Sequence, residues 1–296
     1  MRTAPRTAAT PGAGESGTDH FGLDPAHMRA LRRELAERWR ETLRADLGVR
    51  DLERIEGMLD ILATTQPPPE ALPQQQMFLE WMVPGLDNRP WRDDRPAWRA
   101  RLEDAWPAIR REAQELLAQP QPLGDYLSRK SDAALSQVKH GTWQAFYFYR
   151  EQRTFAEAAT RCPITAACLA EVPLGTEALY SVLQPGTELR AHSDYLNYIV
   201  TAHLGLVVPP SCALRVADEV VAHREGRLML FETSFEHAAW NHSDAPRLVL
   251  LFDFWHPDLS EVERRALQWL HPRAVQALAQ LRAASPAIPP DLSNRT

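Results

Sequence analysis

The sequence predicts a mainly β protein with flanking helices, and the contrast between its two halves carries this prediction. The first half places apolar residues at helical spacing, whereas the second half has short apolar segments separated by turn-forming residues. The chain has no internal repeat and no glycine-rich phosphate loop. Short strands joined by such turns are typical of a sandwich or barrel rather than a parallel α/β sheet. We therefore predict a double-stranded β-helix (jelly roll) core with a helical N-terminal region.

Five helices are predicted from apolar spacing and end signals. The first begins at Asp24-Pro25, an N-cap followed by proline, and ends near Gly48. The others are predicted over residues 52–62, 96–117, 163–170 and 260–284. Six segments rich in β-branched and aromatic residues predict strands. These are residues 143–149, 178–184, 197–208, 212–218, 226–232 and 246–255.

These segments divide the chain into four parts. We expect a disordered tail over residues 1–22, a helical N-terminal segment over 23–75, a double-stranded β-helix domain with flanking helices over 76–285, and a second tail over 286–296. Capping a pocket and mediating a homodimer are both open roles for the helical segment.

The composition excludes several classes of function. With 33 basic and 39 acidic residues the formal net charge is −6, and without a basic tail this argues against a nucleic-acid binder. No apolar run approaches the roughly 18 residues of a membrane-spanning helix, and the first twenty residues lack the apolar stretch of a secretory signal. Three cysteines without a CxxC pair argue against a disulfide scaffold or zinc ribbon. We therefore expect a cytoplasmic protein with no nucleic-acid or membrane partner.

The histidines are concentrated in the second half of the chain, and His-x-Asp occurs there three times, beginning at His192, His242 and His256. Only His192 is followed by a further histidine, His237, at a distance that fits another strand of a barrel. Arg247 comes ten residues after that. The whole pattern is typical of an iron site with two histidines and a carboxylate beside an arginine that binds 2-oxoglutarate.

The metal ligands of this hypothesis are His192, Asp194 and His237. Each member also has a plainer interpretation: Asp194 as a turn residue, His237 as a core histidine, and Arg247 as an exposed arginine in an arginine-rich chain. The other two His-x-Asp pairs are interpreted as a polar turn after His242 and a capping or packing histidine at His256.

Seven blocks between about Phe78 and Leu259 resemble the aspartyl/asparaginyl β-hydroxylases. They are PGLDNRPW (84–91), GTWQAF (141–146), RCPIT (161–165), YSVLQPGTELRAHSD (180–194), AHLGLVVP (202–209), GRLMLFETSFEHAAWN (226–241) and PRLVLLFDFWHPDL (246–259). The resemblance implies a double-stranded β-helix oxygenase that uses Fe(II), 2-oxoglutarate and O2.

Position by position, the resemblance implies roles for individual residues. His192 and His237 would ligate iron, and two residues would bind the C5 carboxylate of 2-oxoglutarate, Arg247 as its ion-pair partner and Ser181 through a hydrogen bond. It further implies that His203 contacts the cosubstrate near its metal-binding end and that Trp143 forms an aromatic wall. Without the resemblance, these residues have plainer interpretations. Ser181 would be a strand serine, His203 a buried histidine and Trp143 a core tryptophan.

Two positions depart from the family. Well-known animal members have glycine where this chain has Asp194, and so have two protein ligands to the metal. Asp194 would be a third ligand here. The arginine that in the family contacts an acidic substrate side chain is Thr201 here. Thr201, together with Asn197, is therefore a candidate for substrate contact, and the pocket has lost a cation.

The sequence thus predicts an Fe(II)/2-oxoglutarate-dependent dioxygenase that hydroxylates an unactivated C–H bond. The expected substrate is an amino acid, free, carrier-bound or within a peptide, hydroxylated at its β-carbon in bacterial natural-product tailoring. A non-oxygenase cupin-like metal protein and a non-catalytic jelly-roll binding module are the alternatives. Cupin sites are typically richer in histidine, whereas His-x-Asp with a downstream arginine favours 2-oxoglutarate.

Overall fold

The structure, a computed structural model, describes residues 25–47, 51–64, 76, 81–118, 124–125, 137–194 and 196–284. The two tails that the sequence predicts, at 1–22 and 286–296, lie outside these residues. Residues 65–75, the end of the predicted helical N-terminal segment, also lie outside them.

Six helices are present in the described residues. They are α1 (Pro25–Leu47), α2 (Glu53–Thr64), α3 (Ala97–Leu117), α4 (Ala156–Arg161), α5 (Pro163–Leu169) and α6 (Glu261–Ala284). Five of them confirm the predicted helices to within a few residues. The sequence did not predict α4, because six residues are too few to show an amphipathic period. None of the described helices has both the length and the apolar character needed to span a membrane.

The same residues contain thirteen strands. They are β1 (Trp91–Arg92), β2 (Gly124–Asp125), β3 (Val138–His140), β4 (Trp143–Arg150), β5 (Arg153–Thr154), β6 (Leu174–Leu183), β7 (Thr187–His192), β8 (Ile199–Val207), β9 (Cys212–Val216), β10 (Glu219–Ala222), β11 (Leu228–Phe231), β12 (His237–Asn241) and β13 (Arg247–Trp255). All six predicted strands are confirmed, as β4, β6, β8, β9, β11 and β13. The other seven were not predicted from the sequence: β1, β2, β3, β5, β7, β10 and β12.

The strands form two antiparallel sheets. The eight-stranded sheet has the order β1-β11-β8-β13-β6-β4-β2 with β5 attached to β4, and the five-stranded sheet has the order β10-β9-β12-β7-β3. From β6 to β13 the chain alternates between the two sheets, except that β9 and β10 form a hairpin within the smaller one. This arrangement is a double-stranded β-helix, and it confirms the fold class predicted from the sequence.

Strand alternation assigns each face of the larger sheet to a different core. On β13, Val249 and Leu251 face the space between the sheets, and Leu248, Leu250 and Phe252 face the opposite way. The outward face packs against α3, α4 and α5. The inner face, which looks toward the smaller sheet, carries the candidate site.

The N-terminal helices pack with the C-terminal helix at one end of the sheets. A third apolar cluster joins α1, α2 and α6 to Tyr198, Trp255 and the Trp81 segment. Within it, Arg54 of α2 forms a two-pronged ion pair with Glu263 of α6, with Nε 2.7 Å from Oε1. Arg54 also donates to the carbonyl oxygen of Asp258 at 2.8 Å. The burial of Glu263 makes this pair the main polar link between the two helices.

We expect Arg54→Met to lower the free energy of unfolding by about 2 kcal/mol, because it leaves the buried Glu263 carboxylate without its cation. Urea denaturation followed by circular dichroism measures the loss. The control is Arg44→Met, which removes the solvent-screened pair between Arg44 and Glu56 and should change stability little. Equal losses in the two variants would contradict the importance of the Arg54 pair.

Candidate active site

Two of the predicted metal ligands lie side by side in the smaller sheet. His192 is the last residue of β7 and His237 is the first residue of β12, and the antiparallel register pairs them directly. The centroids of their imidazole rings are 4.1 Å apart. The jelly-roll connections thus bring together two histidines that are separated along the chain by four strands.

Both rings are oriented by backbone carbonyls. The Nδ1 atom of His192 lies 2.7 Å from the oxygen of Arg190, and that of His237 lies 3.0 Å from the oxygen of Phe235. Because a carbonyl only accepts, each ring carries its proton on Nδ1 and leaves the Nε2 lone pair free. Burial and the neighbouring His192 lower the pKa of His237 to about 4, which keeps its ring neutral. This is the state in which histidine binds a metal, so the pair fits the predicted iron.

Asp194 lies in the loop that follows β7. Residues two apart on a strand point to the same face, but the strand ends at His192, so this rule does not place the Asp194 side chain beside that of His192. Its backbone N–H donates to the oxygen of Thr233 at 2.7 Å, and its negative charge raises the pKa of His237 against the effect of burial. In the described part of the chain, no three His, Cys, Asp or Glu side chains meet as a metal cluster. Asp194 as a third ligand therefore stays a prediction.

Arg247 begins β13 on the inner face of the larger sheet, and it is the most unusual group in the fold. Its side chain is 1% exposed, and its Nε and Nη1 atoms have no hydrogen-bond partner among the described residues. Burial lowers its pKa to about 10, and only the Cys212 thiol opposes that shift. Burying a guanidinium without a carboxylate partner costs free energy, and a bound anion would offset that cost. The burial of Arg247 therefore fits an anion-binding site.

Three further predicted cosubstrate residues lie on the same inner face. Trp143 Nε1 donates to Ser181 Oγ at 2.8 Å, which leaves the serine hydroxyl proton available as a donor. Ser181 and Arg247 are diagonal neighbours on the paired strands β6 and β13. His203 lies on β8, on the other side of β13. The structure therefore brings together Arg247, Ser181, Trp143 and His203 around one part of the inner face.

Thr201 lies two residues before His203 on the same face of β8. Its Oγ1 donates to Asp253 Oδ1 at 2.7 Å, and Thr176 donates to the other carboxyl oxygen. Burial and the charge of Glu177 raise the pKa of Asp253 to about 7. This part of the inner face therefore holds a buried acidic group.

Asn197 does not lie free to meet a substrate. It is 2% exposed, and its side-chain amide exchanges two hydrogen bonds with the backbone of Val83, at 2.8 and 2.9 Å. It also donates to Asn88 Oδ1 at 2.9 Å, and Asn88 donates back to the Asn197 carbonyl. The structure thus corrects the expectation of a substrate contact: Asn197 fastens the segment around Val83 to the sheet.

Sequence reasoning missed two buried groups on the inner face. Asp253 has a visible signal, because it is an acidic residue within the apolar strand β13. His223 had none, since its position beside His203 depends on the fold. The two histidines assigned to other roles behave as expected: His242 follows β12 and bonds Glu188, and His256 is buried against Arg92.

This chain matches the model of a protein family and is similar in sequence to known proteins. A model of the family described as aspartyl/asparaginyl beta-hydroxylase matches residues 103–257. A Rhizobium tropici protein named ornithine lipid ester-linked acyl 2-hydroxylase is 32% identical over 201 residues, which cover 67% of this chain and 68% of that protein.

The animal relatives are longer than this chain. The human aspartyl/asparaginyl beta-hydroxylase is 30% identical over 195 residues, which cover 62% of this chain but 25% of that protein. Among solved structures, a Pseudomonas putida prolyl-4-hydroxylase aligns at 16% identity and a TM-score of 0.32, over 53% of this chain and 97% of that one.

The unpaired state of Arg247 makes a prediction about stability. We expect Arg247→Met to raise the free energy of unfolding of the ligand-free protein by about 1–3 kcal/mol, because it replaces a buried, unpaired cation with an apolar side chain of similar volume. Urea denaturation without added ligand measures the change.

The control for this prediction is Arg92→Met. The side chain of Arg92 is 4% exposed and is paired with Glu232 and Asp94 at 2.8 and 2.6 Å. Its loss should lower the free energy of unfolding by about 3 kcal/mol. If Arg247→Met destabilises the protein as much as Arg92→Met does, Arg247 has a partner and the anion site is wrong.

Proposed function

Since this chain belongs to the aspartyl/asparaginyl β-hydroxylase family, we propose that it is an Fe(II)- and 2-oxoglutarate-dependent dioxygenase that hydroxylates an unactivated C–H bond. One observation above all supports this proposal: Arg247 is buried on the inner face, and no carboxylate of the described residues pairs with it. A dicarboxylate cosubstrate would supply the missing negative charge.

His192 and His237 are the side chains that would hold the iron. Their Nδ1 atoms donate to backbone carbonyls, so both Nε2 lone pairs are available without a change of tautomer. Asp194 is our proposed third ligand. Bound Fe(II), together with 2-oxoglutarate and O2, supplies the oxidising power for C–H hydroxylation, with succinate and CO2 as the other products.

The larger sheet would bind and orient the cosubstrate. The Nε and Nη1 atoms of Arg247 are donors without a hydrogen-bond partner among the described residues, and a planar guanidinium can bind a carboxylate through two parallel hydrogen bonds. Ser181 adds a hydroxyl proton, because its oxygen already accepts from Trp143. Trp143 and the surrounding apolar side chains keep water away, which strengthens the interaction of Arg247 with an anion.

The substrate that we propose is an amino acid, free, carrier-bound or within a peptide, hydroxylated at its β-carbon. The buried pair of Thr201 and Asp253 argues against an acidic side chain at that position, because the Asp253 carboxyl group is itself acidic and forms no ion pair among the described residues. The name of the Rhizobium tropici relative adds a second class to test, the acyl chain of an amino-acid-containing lipid.

The proposal is tested by incubating the full chain with Fe(II), 2-oxoglutarate and O2, and measuring succinate. We expect succinate to form, and mass spectrometry to show the gain of one oxygen in a substrate chosen from amino acids, peptides and acyl lipids. Arg247→Met should raise the 2-oxoglutarate concentration needed for half-maximal rate by about 100-fold, because a desolvated charge pair is lost. Binding of iron should stay nearly unchanged in that variant.

The same experiment separates the oxygenase from the alternatives. Under anaerobic conditions, Fe(II) and 2-oxoglutarate together should produce a weak visible charge-transfer band. A protein that binds Fe(II) but shows neither the band nor any succinate is a cupin-like metal protein. One that binds neither is a jelly-roll binding module, and either result would overturn the proposed function.

The third ligand is tested by Asp194→Gly. If Asp194 ligates iron, the variant should bind Fe(II) at least about tenfold more weakly and should need added iron for turnover. The matched control is Asp244→Gly, which alters the turn after His242 and should leave iron affinity unchanged. Full activity of Asp194→Gly at ordinary iron concentrations would show that His192 and His237 suffice.

A further inference from the structure

A second pair of histidines lies on the inner face, beside Arg247. His203 Nδ1 is 3.0 Å from His223 Nε2, and the two rings are nearly parallel. Both side chains are buried. The opposite nitrogen of each ring, Nε2 of His203 and Nδ1 of His223, makes no hydrogen bond to any described residue.

The fold brings His223 to this position through Gly205. The connection from β10 to β11 crosses β8 at Gly205, where a Cβ atom would lie 2.4 Å from the carbonyl oxygen of Arg224. Gly226 N–H donates to the oxygen of Gly205 at 2.9 Å and holds the crossing in place. The absence of a side chain at Gly205 therefore allows the connection to carry His223 against His203.

Both rings are neutral. Burial, His223 and the charge of Arg247 hold the pKa of His203 well below its usual value, and burial and Arg247 do the same for His223. A neutral imidazole has a single N–H. The hydrogen bond between the rings therefore has two forms, one with the proton on His203 Nδ1 and one with the proton on His223 Nε2.

The surroundings favour the second form. Each form leaves one ring N–H without a partner in the ligand-free protein: the Nδ1–H of His223 in the first form and the Nε2–H of His203 in the second. The first form places its unpaired donor at the fully buried Nδ1 of His223, whereas the second leaves an acceptor there and places the donor on His203. Orphaned buried donors are rarer in proteins than orphaned acceptors. The second form also gives His203 an Nε2–H. The Nε2–H of His203 in the second form would attract an anion bound at Arg247, whereas the Nε2 lone pair of the first form would repel that anion.

We propose that His223 is a positioning residue that donates its Nε2–H to His203 and thereby holds His203 as an Nε2–H donor toward the bound cosubstrate. This inference rests on the proposed function for the identity of the anion, while the preference for the second form rests on the burial of His223 Nδ1 and on the anion expected at Arg247. The sequence blocks that resemble the family assign His223 no role.

The tautomer is measured directly by NMR of the full chain labelled with 15N at histidine, in which protonated and unprotonated ring nitrogens have distinct shifts. Single variants His203→Gln and His223→Gln assign the two rings. We expect Nε2–H on both rings in the ligand-free protein and in the protein loaded with Zn(II) and 2-oxoglutarate. An Nδ1–H on His203 would overturn the proposal.

Binding of 2-oxoglutarate to the Zn(II)-loaded chain, measured by calorimetry, provides the second readout. His223→Leu removes the donor and should weaken binding by about tenfold. His223→Gln, whose side-chain NH2 can donate to His203 Nδ1, should restore affinity to within about threefold. The matched control is His271→Leu, which alters a histidine that packs beside Tyr198 at the end of the sheets and should leave the affinity unchanged.

The outcomes distinguish this inference from the proposed function. If the unaltered chain binds 2-oxoglutarate and His223→Leu binds it equally well, the positioning role is wrong and the proposed function stands. If the unaltered chain binds no 2-oxoglutarate, the proposed function fails. In that case the ligand-free NMR spectrum still decides whether His223 sets the tautomer of His203.

Discussion

The rest of the site depends on the unpaired charge of Arg247. A cation buried without a partner costs several kcal/mol, and the fold must offset that cost through contacts elsewhere. The larger sheet provides them, because β13 is paired on both sides along its length and its outward face packs on three helices. The rigid strand holds the guanidinium in place before any ligand arrives, which lowers the entropy cost of binding.

The two sheets divide the chemistry between them. The smaller sheet supplies His192 and His237 from neighbouring strands, each with its ring oriented by a carbonyl two residues earlier. The larger sheet supplies Arg247 and, on the same face, the buried pair of Thr201 and Asp253. Under the proposed function, metal binding is assigned to the smaller sheet, and cosubstrate and substrate binding are assigned to the inner face of the larger sheet.

Most elements were predictable from the sequence, because long apolar periods and turn residues mark them. The strands β7 and β12, which carry the two histidines, were not, since they are short and polar and are recognised only by their pairing. The spacing of His192, His237 and Arg247 still pointed to the site, because a barrel brings distant strands together. Asn197 was misassigned because its partners, Val83 and Asn88, are more than a hundred residues away in the chain. His223 is close to His203 only through the crossing at Gly205.

The two edges of the larger sheet bear on whether another chain can pair with it. Its outermost strands, β1 and β2, are each two residues long. Arg92 of β1 is held by ion pairs to Glu232 and Asp94, which fixes that short strand over the edge of β11. An edge this short offers little backbone for another chain to extend. Short outermost strands of this kind are one way in which proteins limit edge-to-edge pairing of their sheets.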